Sequence, residues 1–455
     1  MCALTNGSTK GCFGLKCSEN CKLPRVFPVL LALWLLVSFA QAKYSGGSGT
    51  EGDPYRISTA ADMNAIGTDS NDWDKYFVVT SDIDMSSIPG TAYNLIYPFT
   101  GVFDGNNHTI SNFSFVPTTG GAGLFGNVDG GVVKNLGLID PNVDGGTDWA
   151  WLGSLAGVIE GGATISNCYV EGGNINGNKN VGGLVGLNQG TITDCYSTAS
   201  VSGFEKAGGL VGWNIFGGIA NSYSNGSVSG QNKIGGLVGG NSTTITNCYS
   251  TGQVLGTTDS NFHGGLVGYN YGTVTACYST ATVSGNDYVG GLVGYNDEGV
   301  IRACCSAGSV LGDYSIGGLV GRLKSGTIDN CYSRSIVSGQ ELIGGLVGLA
   351  GWGYTHITKC YATGAIASRY YGGGLVGWPD TSAFSSFWDM ETSGQATSRC
   401  GTGLTTAEMQ KASTFLEAGW DFVDETANGT EDIWWILEGQ DYPRLWWETE
   451  QIYDF

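Results

Sequence analysis

The chain repeats one short pattern of apolar and glycine positions along most of its length. Residues 181–186 read Val-Gly-Gly-Leu-Val-Gly, and polar residues follow them. The leucine of this pattern recurs every 26–29 residues, at Leu184, Leu210, Leu237, Leu266, Leu292, Leu319, Leu346 and Leu375, after a looser first copy at Leu155. A fixed period in this range is typical of a solenoid, in which each unit stacks only on its neighbours.

One unit, residues 181–203, contains three short β-rich runs separated by Gly, Asn, Asp and Ser. Three strands in about 27 residues match one coil of a parallel β-helix, whereas leucine-rich units are shorter and propeller blades are longer. Helical repeats are excluded because each interior helical glycine costs about 1 kcal/mol and no 3.6-residue apolar period is present. The sequence therefore predicts an all-β, right-handed parallel β-helix of about ten coils, capped at both ends.

Equivalent positions of successive units form columns, which become ladders of like side chains about 4.8 Å apart in such a fold. Leucine, isoleucine-type, cysteine and valine columns are predicted to face the interior. The valine column is Val201, Val228, Val254, Val283, Val310, Val337 and Ile366. Because Ile192 and Cys195 are three residues apart, a bend must separate them. The Asn or Asp that often precedes the cysteine tolerates the left-handed backbone of such a bend.

The cysteine column is predicted to be a structural ladder: Cys168, Cys195, Cys248, Cys277, Cys304, Cys331 and Cys360, with Ser222 in the one gap. Adjacent coils bring the Cα atoms within reach of a disulfide, and export permits oxidation. Parallel side chains and an odd number of cysteines after residue 42 favour buried thiols that act as small apolar groups. No histidine or second cysteine recurs at ligand spacing, so we predict no metal site and no cofactor.

A tyrosine follows each of these cysteines, with Cys305 in its place once. This column is a candidate binding stripe: Tyr169, Tyr196, Tyr223, Tyr249, Tyr278, Tyr332 and Tyr361. If the cysteine faces inward, its neighbour faces solvent, and aromatic rings with a polar tip suit contact with sugars or with another protein. The alternative is that the tyrosines only stack on one another along the solenoid. A second, patchier aromatic column consists of Trp213, Tyr269, Tyr295 and Trp378.

The first segment, residues 1–42, has a basic leader, an apolar run of roughly a dozen residues and a small-residue cleavage site at Ala40-Gln41-Ala42. A membrane anchor would need about 20 apolar residues, so an export signal is favoured. We therefore expect a secreted or cell-surface (extracellular) protein with no membrane span after cleavage.

Three further regions follow the export signal. Residues 43–120 are predicted to form an N-terminal capping region, and residues 121–380 the repeat β-helix. Residues 381–455 are predicted to form a C-terminal Trp-rich cap with a short helix that begins at a capping box, Thr405 to Glu408. Five tryptophans of this region are expected to cover the far end of the solenoid rather than to bind sugar: Trp420, Trp434, Trp435, Trp446 and Trp447.

Charge and composition exclude several functions. A formal net charge of −20 argues against a nucleic-acid partner. The three histidines are not arranged in a zinc-peptidase helix. A β-helix polysaccharide lyase or hydrolase remains an alternative, which would need carboxylates converging in one cleft. The candidate acidic cluster is Asp140, Asp144 and Asp148, and a basic cluster, several coils away, is Arg322, Lys324 and Arg334.

Gly-Gly-Leu-Val-Gly-x-Asn followed by Ile-x-Asn-Cys-Tyr-Ser-Thr-Gly resembles the GLUG-motif repeat of bacterial extracellular and surface proteins. The resemblance covers about residues 150–380. It implies surface attachment or adhesion, and the repeat also occurs beside metallopeptidase domains of immunoglobulin-cleaving type. It supplies no catalytic residues. We therefore predict a non-catalytic adhesion or binding module whose partner is an extracellular glycan or a cell-surface protein, with a passive structural spacer as a further alternative.

Overall fold

The computed structural model describes residues 43–117, 121–146, 151–351, 353–379 and 383–450. Within them the chain forms an all-β solenoid of about 11 turns, and successive coils pair through parallel strands. The prediction of a parallel β-helix is confirmed. The predicted export signal, residues 1–42, lies outside the described residues.

Each coil contributes strands to four sheets, which we name after the residue type that recurs in each. The isoleucine sheet has 13 strands: Tyr55–Ile57, Tyr76–Val79, Val102–Asp104, Val132–Lys134, Thr164–Ser166, Thr191–Thr193, Gly218–Ala220, Thr244–Thr246, Thr273–Thr275, Val300–Arg302, Gly326–Asp329, Thr355–Thr358 and Ala383–Phe384. The tyrosine sheet also has 13 strands: Ile83–Asp84, Thr109–Ser111, Gly137–Ile139, Tyr169–Glu171, Tyr196–Ser197, Tyr223–Ser224, Tyr249–Ser250, Tyr278–Ser279, Cys305–Ser306, Tyr332–Ser333, Tyr361–Ala362, Phe387–Asp389 and Thr402–Leu404.

The two remaining large sheets form the other side of the coil. The valine sheet has 14 strands: Ser114–Phe115, Asn142–Asp144, Asn174–Gly182, Ser200–Gly208, Ser227–Gly235, Gln253–Gly264, Thr282–Ser284, Asp287–Gly290, Ser309–Leu311, Tyr314–Gly317, Ile336–Gly339, Glu341–Gly344, Ile366–Ser368 and Gly372–Gly373. The asparagine sheet has ten strands: Phe125–Asp129, Ala156–Glu160, Val185–Asn188, Val211–Asn214, Val238–Asn241, Val267–Asn270, Val293–Asn296, Val320–Leu323, Val347–Ala350 and Val376–Pro379.

The Gly-Gly-Leu-Val-Gly pattern spans a corner between two sheets, so a coil has four strands and not the expected three. Gly182 ends a strand of the valine sheet, and Val185 begins a strand of the asparagine sheet. A Cβ atom on Gly182 would lie 2.0 Å from the Val185 carbonyl oxygen, and one on Gly212 would lie 2.3 Å from the Asn180 carbonyl carbon. Any other residue would separate these backbones, which explains the glycines of the pattern.

The interior is filled by the four predicted columns. Leu184, Ile192, Cys195 and Val201 are each at most 2% exposed, and their equivalents join one continuous core. At the end of the asparagine sheet strands, five buried asparagines form a chain of amide hydrogen bonds of 2.7–2.8 Å between coils: Asn188, Asn214, Asn241, Asn270 and Asn296. The interior is therefore mainly apolar, and the asparagines form a hydrogen-bonded polar ladder within it.

The cysteine column lies just after the predicted bend between the isoleucine and tyrosine sheets. The residue before each column position has a φ of 49–55°, in the left-handed region: Asn167, Asp194, Asn221, Asn247, Ala276, Ala303, Asn330, Lys359 and Ser385. The Cys195 thiol donates to the Thr193 carbonyl oxygen at 3.1 Å, and the Ser222 hydroxyl bonds the Ala220 carbonyl oxygen in the same way at 2.7 Å. The nine cysteines among the described residues are free thiols, and burial raises the pKa of Cys168 and Cys248.

The solenoid begins before the repeat pattern is recognisable. Strand Tyr55–Ile57 pairs in parallel with Tyr76–Val79, so the predicted capping region, residues 43–120, supplies the first strands of the isoleucine sheet. Helix α1 (Ala60–Ile66) is capped by Thr59, ends at Gly67, and buries Met63 and Ile66 against the first coils. A 3₁₀ turn, Ser70–Asp72, follows.

The C-terminal residues after the last coil have two parts. Helix α2 (Met390–Ser393) leads into residues 394–401, where Thr397 and Ser398 accept hydrogen bonds from the last Gly-Gly-Leu-Val edge. Residues 405–450, which we call the C-terminal segment, contain helix α3 (Thr406–Met409), helix α4 (Ala412–Glu417), a two-stranded antiparallel sheet and a 3₁₀ turn, Trp446–Glu450. The paired strands are Trp434–Trp435 and Arg444–Leu445. This segment lies against the tyrosine sheet.

Candidate binding surface

Five of the seven predicted tyrosines form a continuous stack on the outside of the tyrosine sheet. We call this group the tyrosine ladder: Tyr169, Tyr196, Tyr223, Tyr249 and Tyr278. Neighbouring ring centroids are 4.7–5.0 Å apart and the rings are within 7° of parallel. All five side chains are half-buried. The ladder spans about 19 Å, four times the spacing of adjacent strands.

The ladder presents ring edges and hydroxyl groups to solvent, because the ring faces are covered. Each internal ring stacks on a ring above and a ring below, and the outer face of Tyr169 lies on Gly137, where a Cβ atom would be 2.4 Å from the ring. The Tyr196 hydroxyl donates to Glu171 at 2.7 Å, and its pKa is raised by burial and by that carboxylate. The tyrosines therefore stack on one another along the solenoid, as the alternative interpretation of the column predicts. The stack also presents a regular row of polar hydroxyl groups to solvent.

Tyr332 and Tyr361 are not exposed, so the expectation of a solvent-facing stripe is wrong for these two residues. They stack on each other at 4.9 Å, but the C-terminal segment covers them. The Tyr332 hydroxyl donates to Glu448 at 2.9 Å, and the Tyr361 hydroxyl donates to the Pro443 carbonyl oxygen at 2.6 Å. Their rings belong to a second apolar core, between the sheet and the segment.

Three tryptophans of the C-terminal segment hold it to the left-handed bends of the solenoid. The Trp447 indole N–H donates to the Ala303 carbonyl oxygen at 3.0 Å, and the Trp434 indole donates to the Asn330 side-chain oxygen at 2.9 Å. Trp420 donates to the Ser385 carbonyl oxygen at 2.9 Å. These tryptophans thus lie along the flank of the last coils, whereas we expected them over the far end.

The single interruption of the tyrosine column is where the segment meets the exposed ladder. Cys305 has no ring, and Trp447 stacks instead on Tyr278, with centroids 5.9 Å apart and an angle of 18°. A cavity of about 120 Å³ remains between Tyr278, Cys305, Tyr332 and Trp447. Trp447, from a distant part of the chain, therefore fills part of the space that a tyrosine ring at position 305 would occupy. The repeated columns of the sequence give no sign of this contact.

The repeat pattern matches a known motif. The GLUG motif matches residues 177–202, 230–255, 264–284 and 339–367, and the coils between them carry the same columns in register. The solenoid therefore contains four matches to the GLUG motif. This confirms the resemblance drawn from the sequence.

Two proteins and one solved structure illustrate what this chain is similar to. Halomucin from Haloquadratum walsbyi is 35% identical over 172 residues, which are 34% of this chain and 2% of halomucin. A protein from Evansella cellulosilytica, provisionally named a Gly-rich membrane protein, is 35% identical over 94 residues, 19% of this chain and 10% of that protein. A solved structure from Bacteroides ovatus, provisionally assigned as an immunoglobulin A1 protease, is 18% identical, with a TM-score of 0.41 over 89% of this chain and 95% of that chain.

The chain matches only 2% of the length of halomucin and 10% of the length of the Evansella protein. The similarity therefore concerns a repeated part of these two proteins and not their whole length. The name of the Evansella protein refers to a membrane. Within the described residues, none of the helices has the length and apolar character needed to cross a bilayer.

The covered and uncovered parts of the tyrosine sheet differ in charge. Under the C-terminal segment the solenoid supplies two cations that pair with the segment, Arg302 with Glu431 and Arg334 with Asp441 at 3.4 Å. It also supplies one carboxylate, Asp329, which lies 3.5 Å from Arg302. Beside the tyrosine ladder the exposed charges are carboxylates: Asp140, Glu171 and Asp194. The flank of the solenoid is therefore basic where it is occupied by the chain's own acidic segment and acidic where it is open.

The second aromatic column also lies on the surface, where it forms a ridge with residues that sequence analysis missed. In seven successive copies of the repeat pattern, from Asn180 to Leu342, the residue two positions before the Gly-Gly pair adopts a left-handed φ, for example 57° at Lys206 and 65° at Phe262. Its side chain folds back over the next aromatic residue, so Lys206 lies 4.4 Å from the Trp213 ring centroid. Arg322, from the predicted basic cluster, likewise lies over Tyr288 and Tyr295. The sequence contained one signal for this ridge: the residue type varies from copy to copy at the position two residues before Gly-Gly.

The residues of the two predicted charged clusters lie in different surroundings, and Arg322 is buried. Asp140 and Asp144 are exposed near the start of a valine-sheet strand, and Asp148 lies outside the described residues. Lys324 pairs with Asp297 at 2.9 Å, and Arg334 lies under the C-terminal segment. Among the described residues, no group of three or more His, Cys, Asp or Glu side chains is arranged to hold a metal ion.

One cleft between the GLUG repeats and the C-terminal segment does contain several carboxylates. It has a volume of about 490 Å³ and is lined by Asp329, Asp421 and Glu431. Burial raises the pKa of Asp329, and nearby Arg302 opposes that shift. Arg302 lies 3.5 Å from Asp329 and also pairs with Glu431. Asp329 and Glu431 thus belong to an ion-pair network with Arg302, and Asp421 accepts a hydrogen bond from the Glu431 backbone N–H at 2.9 Å. General acid–base catalysis needs a carboxylate that faces its substrate.

Proposed function

We propose that the chain is a non-catalytic binding module of a secreted or cell-surface protein, and that the tyrosine ladder is its contact surface. The GLUG repeats hold the ladder on a continuous β-solenoid, so its position is fixed before any partner arrives. A preorganised surface loses little conformational entropy on binding, which favours recognition.

The observation that carries this proposal is the regular file of five half-buried tyrosines. Their edges repeat at the strand spacing, and exposed bend residues run beside them. Tyrosine contributes a large contact area with two side-chain torsions and a polar tip, a combination enriched in protein contact surfaces. The similarity to halomucin and to a protein named for a membrane supports a role at the cell surface.

The test compares the wild-type chain with a Tyr196→Ala/Tyr249→Ala variant on an array of glycans and extracellular proteins. We expect the variant to lose at least tenfold in affinity for the partners that the wild type retains. Tyr271→Ala is the matched control, because Tyr271 is 47% exposed but lies outside the ladder. Equal binding by wild type and ladder variant would refute the proposal and leave a passive spacer as the better interpretation.

A hydrolase or lyase is the second candidate, and the cleft at Asp329 is the place to test it. Asp329→Asn and Glu431→Gln variants should leave binding by the ladder unchanged. Turnover of a polysaccharide by the wild type that these two variants abolish would establish the enzyme instead.

A further inference from the structure

We propose that the tyrosine ladder docks a basic, tryptophan-bearing segment of another protein, in the way that the chain's own C-terminal segment docks on the last coils. The inference rests on the proposed function, since it names the partner of the same surface. Its basis is that the covered and uncovered parts of the flank are successive stretches of one repeated surface.

The covered part defines how such a segment binds. Three indole N–H groups each donate to an acceptor at a left-handed bend, at 2.9–3.0 Å, and the indole rings lie against the tyrosine column. Trp434 is fully buried between the segment and the sheet, with ring centroids 6.3 Å from Tyr332 and 6.1 Å from Tyr361. Indole bonds and ring contacts thus act together at three bends, those at Ala303, Asn330 and Ser385, and the coil with its bend at Lys359 lies between the last two.

The uncovered part repeats these features in register. Tyr196 pairs with Tyr223, and Tyr223 pairs with Tyr249, at the strand positions that Tyr332 and Tyr361 occupy further along. The bends beside them have the same left-handed φ and carry exposed side chains with an oxygen acceptor, as Asn330 does for Trp434: Asn167, Asp194, Asn221 and Asn247. Asn221 also donates to Asp194 at 3.2 Å and Asn247 to Asn221 at 3.3 Å, which leaves one lone pair on each of these two oxygens for an incoming N–H donor. The open flank therefore offers an indole-bearing chain the acceptors and rings that the covered flank provides.

Charge decides which kind of chain fits. The covered flank presents Arg302 and Arg334 to acidic residues of the C-terminal segment, whereas the open flank presents Glu171 and Asp194. A second copy of the acidic C-terminal segment would meet like charges there, so exchange between copies of this chain is disfavoured. The complementary partner carries lysine or arginine between its tryptophans.

Ring geometry favours a polypeptide over a glycan. A sugar stacks on an exposed aromatic face, but the faces of the ladder are occupied by neighbouring rings within 5.0 Å. The edges and the bend oxygens that remain accept N–H donors. In an extended chain, tryptophans three residues apart are separated by about 10 Å, which matches two coils.

The probe is a synthetic peptide, Lys-Trp-Lys-Lys-Trp-Lys-Lys-Trp-Lys, titrated into the full chain and followed by calorimetry at low salt. We expect saturable binding that weakens as salt is added. A peptide with alanine in place of tryptophan and one with glutamate in place of lysine should each bind at least tenfold more weakly. Equal binding of either control peptide would overturn the inference.

Protein variants locate the binding. Asn221→Gly/Asn247→Gly removes two side-chain acceptors and keeps the left-handed backbone, and Glu171→Gln/Asp194→Asn removes two charges; each pair should weaken binding about three- to tenfold, as expected for a few exposed polar contacts. Tyr271→Ala should leave the affinity unchanged. Thermal melting of each variant excludes misfolding as the cause, and unchanged affinity in both folded acceptor and charge variants would overturn the inference.

The two proposals fail in different ways. If the peptide does not bind while the Tyr196→Ala/Tyr249→Ala variant loses glycan binding on the array, the partner inference is wrong and the proposed function stands. If neither the peptide nor any array partner distinguishes the ladder variant from the wild type, both are wrong.

Discussion

Replacing His263 with valine should stabilise the solenoid and remove a defined part of its acid sensitivity. His263 is fully buried in the valine sheet, in register with Ile234 of the coil before and Val289 of the coil after. Among the described residues, neither ring nitrogen has a hydrogen-bond partner. Valine restores the apolar side chain that this column otherwise carries.

The magnitude follows from the burial of the imidazole. Burial lowers the pKa of His263 from 6.5 to about 4, so the folded state excludes a proton that the unfolded chain binds. Above pH 6.5 His263 is neutral in both states and does not make the free energy of unfolding depend on pH. As the pH falls from 6.5 toward 4, the unfolded chain is protonated first, so the free energy of unfolding decreases. The loss is about 2 kcal/mol at pH 5 and about 3 kcal/mol once both states are protonated. At neutral pH the unpaired nitrogens cost a further 1–3 kcal/mol or so.

The assay is urea unfolding of wild type and His263→Val between pH 4.5 and pH 8. We expect the variant to be more stable at every pH, with a difference that grows by about 2 kcal/mol between pH 8 and pH 5. Ile234→Val is the matched control, since it alters packing in the same column by about 1 kcal/mol without a titratable group. A constant difference between wild type and His263→Val across this range would refute the reasoning.

Three further predictions concern the polar ladder, the C-terminal segment and the thiols. Asn214→Ala removes two buried amide hydrogen bonds from the asparagine ladder, those with Asn188 and Asn241, so chemical denaturation should show a loss of about 2–4 kcal/mol; a loss below 0.5 kcal/mol would contradict the role of the ladder. Trp434→Ala should cost the docking of the C-terminal segment about 3–5 kcal/mol, and limited proteolysis should then cut within residues 405–450 and spare the repeats; resistance equal to wild type would count against that docking. A thiol reagent should label half-buried Cys400 before the fully enclosed column, and early labelling of Cys195 would show that the column is open.

The fold could be predicted from the sequence because one repeated sequence pattern has to fit the same backbone geometry in every coil. Gly182 and its equivalents mark the corner where two backbones approach closely, and the φ values at Asn167 and Asn221 agree with the bend inferred from the spacing of isoleucine and cysteine. The number of strands in a coil was predicted as three, whereas the structure has four. The run Val-Gly-Gly-Leu-Val-Gly is continuous in the sequence and does not show that a corner divides it between two sheets.

The candidate site was only partly predictable. A column shows which side chains face outward, but it does not show which of them a distant segment covers. Tyr332 and Tyr361 have the same sequence context as Tyr196, yet Trp420 and Trp434 bury them. The replacement of tyrosine by Cys305 was visible, while its meaning depended on Trp447, which lies 142 residues further along.

The bend that recurs in every coil gives the flank a modular length. Each unit adds one ring and one oxygen acceptor at a fixed spacing of about 4.8 Å, and each coil touches only the coils beside it. Internal duplication of a single unit would therefore extend the open surface by one step without disturbing either terminus. The number of repeat units would then set the length of partner that the surface can contact. The affinity for the partner would rise by one increment with each added unit.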